Sequence, residues 1–191
     1  MTNVTAKKKK LILDKETHWQ PFRLDDQVYD LSHLDGQVVE YVQPAKGKNP
    51  ARNYKFYVTY SFHCFAKDYE HLTDEDRIRL EYKTTKDSRP FCFIRYELSK
   101  KLPMIIANLG QANLVFHGGY ESFATCDIQS EHGETIQYYI SFVAYRENKK
   151  LRLHIKSAYP LDEPLGKVKK VKFFSIALNL LKNKTLPKPQ M

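Results

Sequence analysis

The residues best able to do chemistry lie in a run near the C-terminus in which apolar and basic side chains alternate. Residues 151–159 alternate leucine or isoleucine with cationic or imidazole side chains at Arg152, His154 and Lys156. Successive side chains of a strand point to opposite faces, so one face of this run would be apolar and the other cationic. Such a row can hold a phosphate backbone, and a neighbouring tyrosine such as Tyr159 can stack on bases.

Two other runs combine aromatic residues with a residue suited to proton transfer or phosphate binding. His63 lies in the run 60–65, and Arg95 lies in the run 89–96. His117 precedes two glycines, a setting that suits a loop residue as well as a site residue. The remaining basic candidates near the C-terminus are Lys169, Lys170 and Lys172.

The motifs that usually mark a metal or nucleotide site are absent from the sequence. There is no glycine-rich phosphate loop, no HExxH zinc motif and no GxSxG nucleophile motif. The seven histidines are dispersed, and the three cysteines (Cys64, Cys92 and Cys126) are far apart without a CxxC pair. We therefore expect no metal and no cofactor, and we expect the thiols to serve as small buried apolar groups.

The chain carries a large excess of positive charge. Its 191 residues include 31 Lys and Arg against 22 Asp and Glu, a net charge of +9 with an isoelectric point near 9.3. Such an excess attracts polyanions and speeds encounter with them, and nucleic acid is the common case. A membrane surface, an acidic partner protein or simply solvated lysines would account for the same composition.

Neither end of the sequence has the pattern of a targeting or membrane segment. Residues 1–10 are polar and end in four lysines, and the apolar run that follows is too short for a signal peptide. No stretch of about eighteen apolar residues occurs, so no transmembrane helix and no membrane partner are expected. We expect a cytoplasmic protein with a flexible basic leader over residues 1–20 and a disordered tail over residues 184–191.

The candidate residues of the N-terminal half are placed mainly on predicted strands. In the longest strand, 52–65, alternate positions from Tyr54 to Cys64 are almost all apolar and are predicted to face the core. His63 then falls on the opposite face, which is polar and aromatic and usable for binding. Shorter strands are predicted at 22–24, 27–29 and 37–42, and an acidic turn or short helix at 66–78.

Residues 78–82 and 90–96 are predicted to pair as a hairpin, which would place Arg95 on a strand. A helix is predicted to begin at Ser99, with Pro103 in its first turn and Gly110 as its C-terminal cap. This helix would be the central one of the fold.

The second half of the chain predicts a meander followed by a basic helix. Short turns separate the strands, which favours antiparallel neighbours, and the last helix would carry lysines beside an apolar stripe. The predicted fold is therefore α+β, a mainly antiparallel twisted sheet with one central and one C-terminal helix, in a single domain over residues 21–183. The predicted strands are 114–117, 122–128, 135–145 and 150–159, and the predicted helix is 168–182.

The predicted order of elements resembles that of the barnase, EndoU, colicin and RelE group of small ribonucleases. A helix is followed by a four-stranded antiparallel sheet, and the last strand is basic and carries a hydroxyl residue. The resemblance covers about residues 97–160 and rests on element order and on the strand Arg152–Tyr159. RelE-like toxins and their relatives on phages and other mobile elements are the closest comparison. The resemblance implies a toxin-like endoribonuclease that needs no metal.

In such an enzyme the 2′-hydroxyl of RNA attacks the adjacent phosphate while a base, a cation and an acid assist. We assign base or acid work to His63 or His117, phosphate binding to Arg95, Arg152 and Lys156, and assistance to Tyr139, Ser157 or Tyr159. The predicted catalytic residues are His63, Arg95, His117, Tyr139, Lys156 and Ser157. The predicted nucleic-acid-binding residues are Arg152, His154, Tyr159, Lys169, Lys170 and Lys172.

Each assignment has a structural alternative. His63 and Tyr139 could be ordinary sheet residues, and Arg95 could serve a structural ion pair, because a cation among apolar neighbours needs a partner. The whole protein could instead be a non-catalytic nucleic-acid binder, or an adaptor or inhibitor whose cationic face meets an acidic protein. RNA or another polyanion is the expected partner, and a toxin-like protein would also have a cognate antitoxin or a host protein.

Overall fold

A six-stranded, mainly antiparallel sheet forms the centre of the molecule. The computed structural model of the chain describes residues 16–112, 114–119, 122–131 and 134–187. Its strands are β1 (Phe22–Leu24), β2 (Gln27–Tyr29), β3 (Gln37–Gln43), β4 (Arg52–Tyr60), β5 (Glu81–Lys83), β6 (Ser88–Pro90), β7 (Val115–Gly119), β8 (Ser122–Glu131), β9 (Glu134–Glu147) and β10 (Lys150–Pro160). Its helices are α1 (Asp74–Arg79), α2 (Phe93–Ser99), α3 (Leu102–Ala107) and α4 (Phe173–Leu181).

The strand order of the large sheet is β3-β4-β10-β9-β8-β7. The strands β7 to β10 form the predicted antiparallel meander, and the predicted α+β class with a C-terminal helix is confirmed. One pairing has no counterpart in the sequence-based prediction, because β4 and β10 lie side by side in parallel, with Leu151 opposite Phe56. This pairing joins the meander to the β3–β4 hairpin.

The core lies on one face of this sheet, called the core face. The alternation predicted for residues 52–65 holds, since every second side chain from Tyr54 to Cys64 is buried. The strand itself ends at Tyr60, and residues Phe62–Cys64 form a 3-10 turn whose preceding residue, Ser61, donates its N–H to the Ile155 carbonyl of β10. The predicted core positions are therefore right although the element that carries the last two is a turn.

Helices cover the core face. The ring of Phe173 at the start of α4 packs edge-on against Tyr41 at 4.6 Å between ring centroids. Gly110 follows α3 where the chain passes close to α4, and a Cβ at this position would stand 3.1 Å from the ring of Phe174. A Cβ at Gly110 would therefore crowd the ring of Phe174, so a glycine suits this position. The prediction of a helix that begins at Ser99 and is capped by Gly110 is wrong, because Ser99 ends α2 and α3 is capped at Asn108.

A second group of short elements lies beside the sheet and is called the flanking region, residues 16–36 and 65–99. It contains the two small hairpins β1–β2 and β5–β6, together with α1 and α2. Aromatic rings hold these elements together, with Phe22 stacked on Phe91 at 4.2 Å and Trp19 edge-on to Phe65 at 5.1 Å. Trp19 is buried, so packing already includes the end of the predicted leader. Residues 1–15 of that leader and 188–191 of the predicted tail lie outside the described residues.

Candidate functional site

The strand β10 organises most of the predicted site residues, and a bulge decides where they point. His154 lies opposite Val143 and Ser157 lies opposite Ser141, with Lys156 as the extra residue between them. Because Val143 and Ser141 are two apart on β9, their side chains share a face, and so do His154 and Ser157. This face is called the second face and lies opposite the core face. It carries Tyr57, Thr59, Tyr139, Ser141, Tyr145, Arg152, His154, Ser157 and Tyr159.

Arg95 is held in place by backbone carbonyls. The prediction that it lies on a hairpin strand is wrong, because residues 93–99 form α2 and short apolar runs do not distinguish helix from strand. Its Nη1 donates to the carbonyls of His63 and Ala66 at 2.8 and 3.0 Å, and its guanidinium lies 5.3 Å from the ring centroid of Tyr159. These contacts join α2 to the 3-10 turn and to the end of β10.

The thiol of Cys64 lies within the electrostatic influence of Arg95. Burial raises the pKa of the Cys64 thiol to about 12, and the positive charge of Arg95 opposes this effect only in part. Cys92 is also buried and accepts a hydrogen bond from the hydroxyl of Tyr69 at 2.7 Å. The Cys64 thiol is therefore not activated as a nucleophile.

Tyr139 and Tyr159 face each other on neighbouring strands. Their ring centroids are 5.3 Å apart, and the guanidinium of Arg95 lies beside the second of them. Burial, with Tyr159 as a second cause, raises the pKa of Tyr139. Tyr139 is therefore neutral near pH 7 and is not suited to accept a proton. The three side chains form a contiguous cluster of one cation and two phenols.

Lys156 and Ser157 lie at the bulge in β10, between this cluster and the N-terminal half of the strand. The Nζ of Lys156 is 3.3 Å from the hydroxyl of Ser122, which lies on β8 beyond the intervening β9. Ser157 lies opposite Ser141. Because of the bulge, the side chain of Lys156 extends across β9 toward Ser122, and the hydroxyl of Ser157 lies on the second face.

The three histidines considered for the site lie in three different places. The backbone of His63 lies in the 3-10 turn after β4, not on the predicted polar face of a strand, because the chain turns at Ser61. His117 lies on β7 with its ring 5.0 Å from Phe123, and its buried Nε2 has no hydrogen-bond partner among the described residues. His154 is buried on β10, with its Nδ1 2.9 Å from the Thr59 hydroxyl.

The elements that carry His63 and His117 are not neighbours in the sheet. His63 lies in the turn after β4 and His117 lies on β7, and β10, β9 and β8 lie between β4 and β7 in the strand order. A general acid and a general base must both reach the same substrate within hydrogen-bond distance. The two candidates for acid and base thus come from separate elements of the fold.

The C-terminal lysines lie along the opposite edge of the sheet from β3. The prediction that they belong to the basic side of a helix is wrong, because α4 begins only at Phe173. Residues 169–171 instead run beside β7, with Lys170 opposite Phe116 and the Val171 N–H donating to the Val115 carbonyl at 2.7 Å. The side chains of Lys169, Lys170 and Lys172 are exposed there.

Positive charge converges at one end of the sheet. Because β4 and β10 are parallel, the turns that precede them lie at the same end, and Arg146 links this end to α4 by donating to the Leu181 carbonyl at 3.0 Å. Two carboxylates accompany these cations: Glu147 lies 2.8 Å from the Nε of Arg152, and Glu40 lies 3.9 Å from the Nζ of Lys55. We call this set the basic rim: Lys46, Lys48, Arg52, Lys55, Arg146, Lys149, Lys150 and Arg152.

Tyr57 lies at the centre of the basic rim on the second face. The Nζ of Lys150 lies 4.7 Å from its ring centroid, and the guanidinium of Arg152 lies 5.9 Å from it. Lys55 and Lys150 immediately precede the paired residues Phe56 and Leu151, so these two lysines are neighbours on adjacent strands. Like charges side by side in a sheet repel each other, and the carboxylates of Glu40 beside Lys55 and of Glu147 beside Arg152 offset part of this repulsion.

Sequence reasoning found Arg152 but not the other members of this group. Lys55 and Tyr57 were predicted only as part of a polar and aromatic face, and Lys150 only as the start of a strand. The signal lay in two turns rich in lysine, 44–51 and 148–149. Only the parallel pairing of β4 with β10 brings them together.

Two features absent from the described residues bear on the site. In that part of the chain, no group of three His, Cys, Asp or Glu side chains is placed to hold a metal ion. No helix among the same residues is long and apolar enough to cross a membrane.

The fold and site define an α+β protein with a mixed sheet, helices on one face and a basic rim at one end. The YjaZ family model matches residues 21–181, and a protein from Escherichia coli (strain K12), "Protein YjaZ", is 49% identical over 173 residues. That match covers 90% of this chain and 95% of the relative. The chain belongs to the YjaZ family. No solved structure matches it.

The predicted resemblance to the barnase, EndoU, colicin and RelE ribonucleases is wrong. The family match extends over nearly the whole chain, and no ribonuclease of that group is among its relatives. The element order that suggested the resemblance is present, since α3 precedes the β7–β10 meander. However, β10 also pairs with β4, so the meander is one part of a larger sheet.

Proposed function

We propose that this protein binds single-stranded nucleic acid through its basic rim and does not cleave it. The observation that carries the proposal is the pair Lys150 and Arg152 at the ring of Tyr57, with Lys55 two residues before Tyr57 on the same strand. The basic rim holds more cations than carboxylates, so a ligand that supplies phosphates would find cations to pair with there. A cytoplasmic location, where such a ligand is accessible, is part of the proposal.

The aromatic residues support a single-stranded ligand. Tyr57 and Tyr145 both lie on the second face, each opposite Arg152 on one of its two flanking strands. Tyrosine rings beside cations suit a strand whose bases are unpaired, because bases can stack while phosphates meet the lysines. In a duplex the bases are paired and stacked on each other, so only its phosphates would reach these rings.

The surroundings of His154 support binding without cleavage. Its ring is buried, with Nδ1 2.9 Å from the Thr59 hydroxyl, so it does not face a phosphodiester on the surface. His63 and His117 lie on elements that are not neighbours in the sheet, whereas metal-independent cleavage requires an acid and a base that reach one phosphodiester.

The proposal is tested by fluorescence anisotropy with labelled single-stranded RNA and DNA at several salt concentrations. The rim variant Lys55→Gln, Lys150→Gln, Arg152→Gln should bind about tenfold or more weakly, and its log–log salt slope should be smaller by about two, since each single-strand contact contributes about 0.7. The matched control is Lys169→Gln, Lys170→Gln, Lys172→Gln, which removes three charges at the opposite edge. It should retain binding to within about threefold.

Two results would contradict the proposal. Equal losses in both triple variants would mean that net charge, not the rim, attracts the ligand. Binding that is insensitive to salt would exclude a phosphate-dominated interaction. The non-catalytic part is checked separately, by incubating end-labelled RNA with the protein in chelator; products ending in a cyclic phosphate would overturn it.

A further inference from the structure

The second face of the sheet carries two separate pairs of tyrosines. Tyr57 and Tyr145, called the rim pair, both lie opposite Arg152. Tyr139 and Tyr159, called the far pair, lie opposite each other with their ring centroids 5.3 Å apart. Along β9, Tyr139 and Tyr145 are six residues apart, which at about 3.4 Å per residue is about 20 Å. The contacts proposed for the basic rim involve only the rim pair.

The side chains between the two pairs are small or lie low on the sheet. Ser141 of β9 lies opposite Ser157 of β10 and Ala124 of β8, and Val143 lies opposite His154. Val143, His154 and Ala124 are buried, and the two serines are partly exposed. No tyrosine or phenylalanine of these three strands therefore stands on the second face between the rim pair and the far pair.

Lys156 supplies a cation midway between the two pairs. The bulge sends its exposed side chain across β9, where its Nζ is 3.3 Å from the hydroxyl of Ser122, a residue that is only 4% or less exposed. Arg152 has the Glu147 carboxylate 2.8 Å from its Nε, whereas Lys156 has no carboxylate within ion-pair distance among the side chains that the structure describes. Bulges often re-aim a side chain beside a functional site. The ammonium group of Lys156 is therefore available to a phosphate.

A strand of nucleic acid that leaves the rim could follow one of two courses. It could run along the end of the sheet, past the lysines of the turns 44–51 and 148–149. These turns contain no aromatic residue, so the strand would gain phosphate contacts there but no ring for its bases. The course along β9 and β10 offers a cation at Lys156 and rings at the far pair. The second course therefore matches single-stranded nucleic acid better.

We propose that a single strand bound at the basic rim continues across the second face to the far pair, and that Lys156 contacts a phosphate on the way. Bases stack on the rings of Tyr139 and Tyr159, and phosphates meet Arg152 and Lys156. This inference rests on the proposed binding at the rim and gives that binding a direction and a minimum length. The ligand is single-stranded nucleic acid that spans about 20 Å, not a short oligonucleotide or a small anion.

The far pair is tested by fluorescence anisotropy at low salt with labelled oligothymidylates of about three and about twelve nucleotides. At about 3.4 Å per nucleotide, a stacked trimer spans about 10 Å and reaches one pair only, whereas the longer strand reaches both. Tyr159→Leu should weaken binding of the longer strand about fivefold or more, as expected for one lost base stack, and should leave trimer binding unchanged. The matched control Tyr159→Phe keeps the ring and should bind like the wild type.

Lys156→Gln tests the middle of the path at an exposed position, where the substitution should not disturb folding. It should weaken binding of the longer strand about threefold or more and reduce the log–log salt slope by about 0.7, the contribution of one phosphate contact to a single strand. The matched control Lys167→Gln removes the same charge from an exposed loop residue. It should change the affinity by less than about twofold.

Failure of this path can be told apart from failure of binding at the rim. A wild-type chain that binds neither oligonucleotide would overturn both. Binding that depends on Lys55, Lys150 and Arg152 but is insensitive to Lys156→Gln and Tyr159→Leu would keep the rim and overturn the path. Equal losses in Tyr159→Leu and Tyr159→Phe, or equal losses for the short and the long strand, would also overturn the path. Urea denaturation of each variant checks that an altered affinity does not come from unfolding.

Discussion

In the large sheet, the adjacent strands β4 and β10 pair although a long stretch of sequence separates them, whereas the flanking region contains hairpins of three-residue strands. Thr59 and His154 of the sheet are 95 residues apart in sequence and share a hydrogen-bond contact. The flanking region relies instead on rings, with Phe91 in contact with Phe22, Tyr29, Phe65 and Tyr96. The sheet therefore depends on register, and the flanking region depends on aromatic packing.

The same two regions differ in charge. Residues 16–36 contain five carboxylates and one arginine, whereas residues 134–187 contain eleven Lys and Arg and four Asp and Glu. The net charge of the chain is thus unevenly distributed, with its positive part on the sheet. A polyanion should approach the basic rim and avoid the first hairpin.

The largest effect is expected in the sheet. Phe56→Ala removes a fully buried ring between Tyr41 and Phe173, and the free energy of unfolding should fall by about 3–5 kcal/mol in urea denaturation. The neighbouring exposed Lys55→Ala is the control and should change it by about 0.5 kcal/mol or less. A small loss for Phe56→Ala would mean that the sheet is not held by its core face.

A smaller effect is expected where the two regions meet. Arg95→Met leaves the carbonyls of His63 and Ala66 without their donor and should lower the free energy of unfolding by about 1–3 kcal/mol. Arg95→Lys keeps the charge and should restore part of this loss. Nucleic-acid affinity should be unchanged in both, and weaker RNA binding at unchanged stability would instead make Arg95 a phosphate-binding residue.

An effect of acid is expected in the flanking region. Burial lowers the pKa of His33 from 6.5, and its Nε2 lies 2.8 Å from the Ser99 hydroxyl. The unfolded chain then binds a proton more readily, so the contribution of His33 to stability is complete above about pH 6.5 and is lost as the pH falls below that value. Between pH 7.5 and pH 5.5 the free energy of unfolding of the His33→Gln variant should fall less than that of the wild type. The difference should correspond to the uptake of about one proton on unfolding. His71→Gln, at an exposed histidine, should behave like the wild type.

The smallest effect is expected for an ion pair on the surface of the flanking region. Arg79 lies 2.5 Å from Asp25, and both side chains are more than half exposed. Asp25→Asn should leave the unfolding midpoint nearly unchanged, because solvent and salt screen such pairs. Asparagine also tolerates the φ of 51° at this position. A large loss would show that the flanking region depends on charge rather than on rings.

The sequence predicted the core alternation of β4 and the β7–β10 meander because both are local patterns. It misplaced His63 and Arg95 because a turn at Ser61 and a short helix at Phe93 look like strand in a short aromatic run. The shift at Lys156 has no sequence signal, although it decides which side chains reach the second face. The basic rim was missed because it depends on the pairing of β4 with β10, which no local pattern reports.

The central place of β10 has a consequence for synthesis of the chain. The strand β4 emerges from the ribosome long before its neighbour, since 95 residues separate Thr59 from His154 and take on the order of five to twenty seconds to translate. During this interval the nascent β3–β4 hairpin has two unpaired edges and an uncovered apolar face. The newly made chain is therefore exposed to aggregation until its last strand arrives, and it should be a substrate for chaperones that protect unfinished sheets.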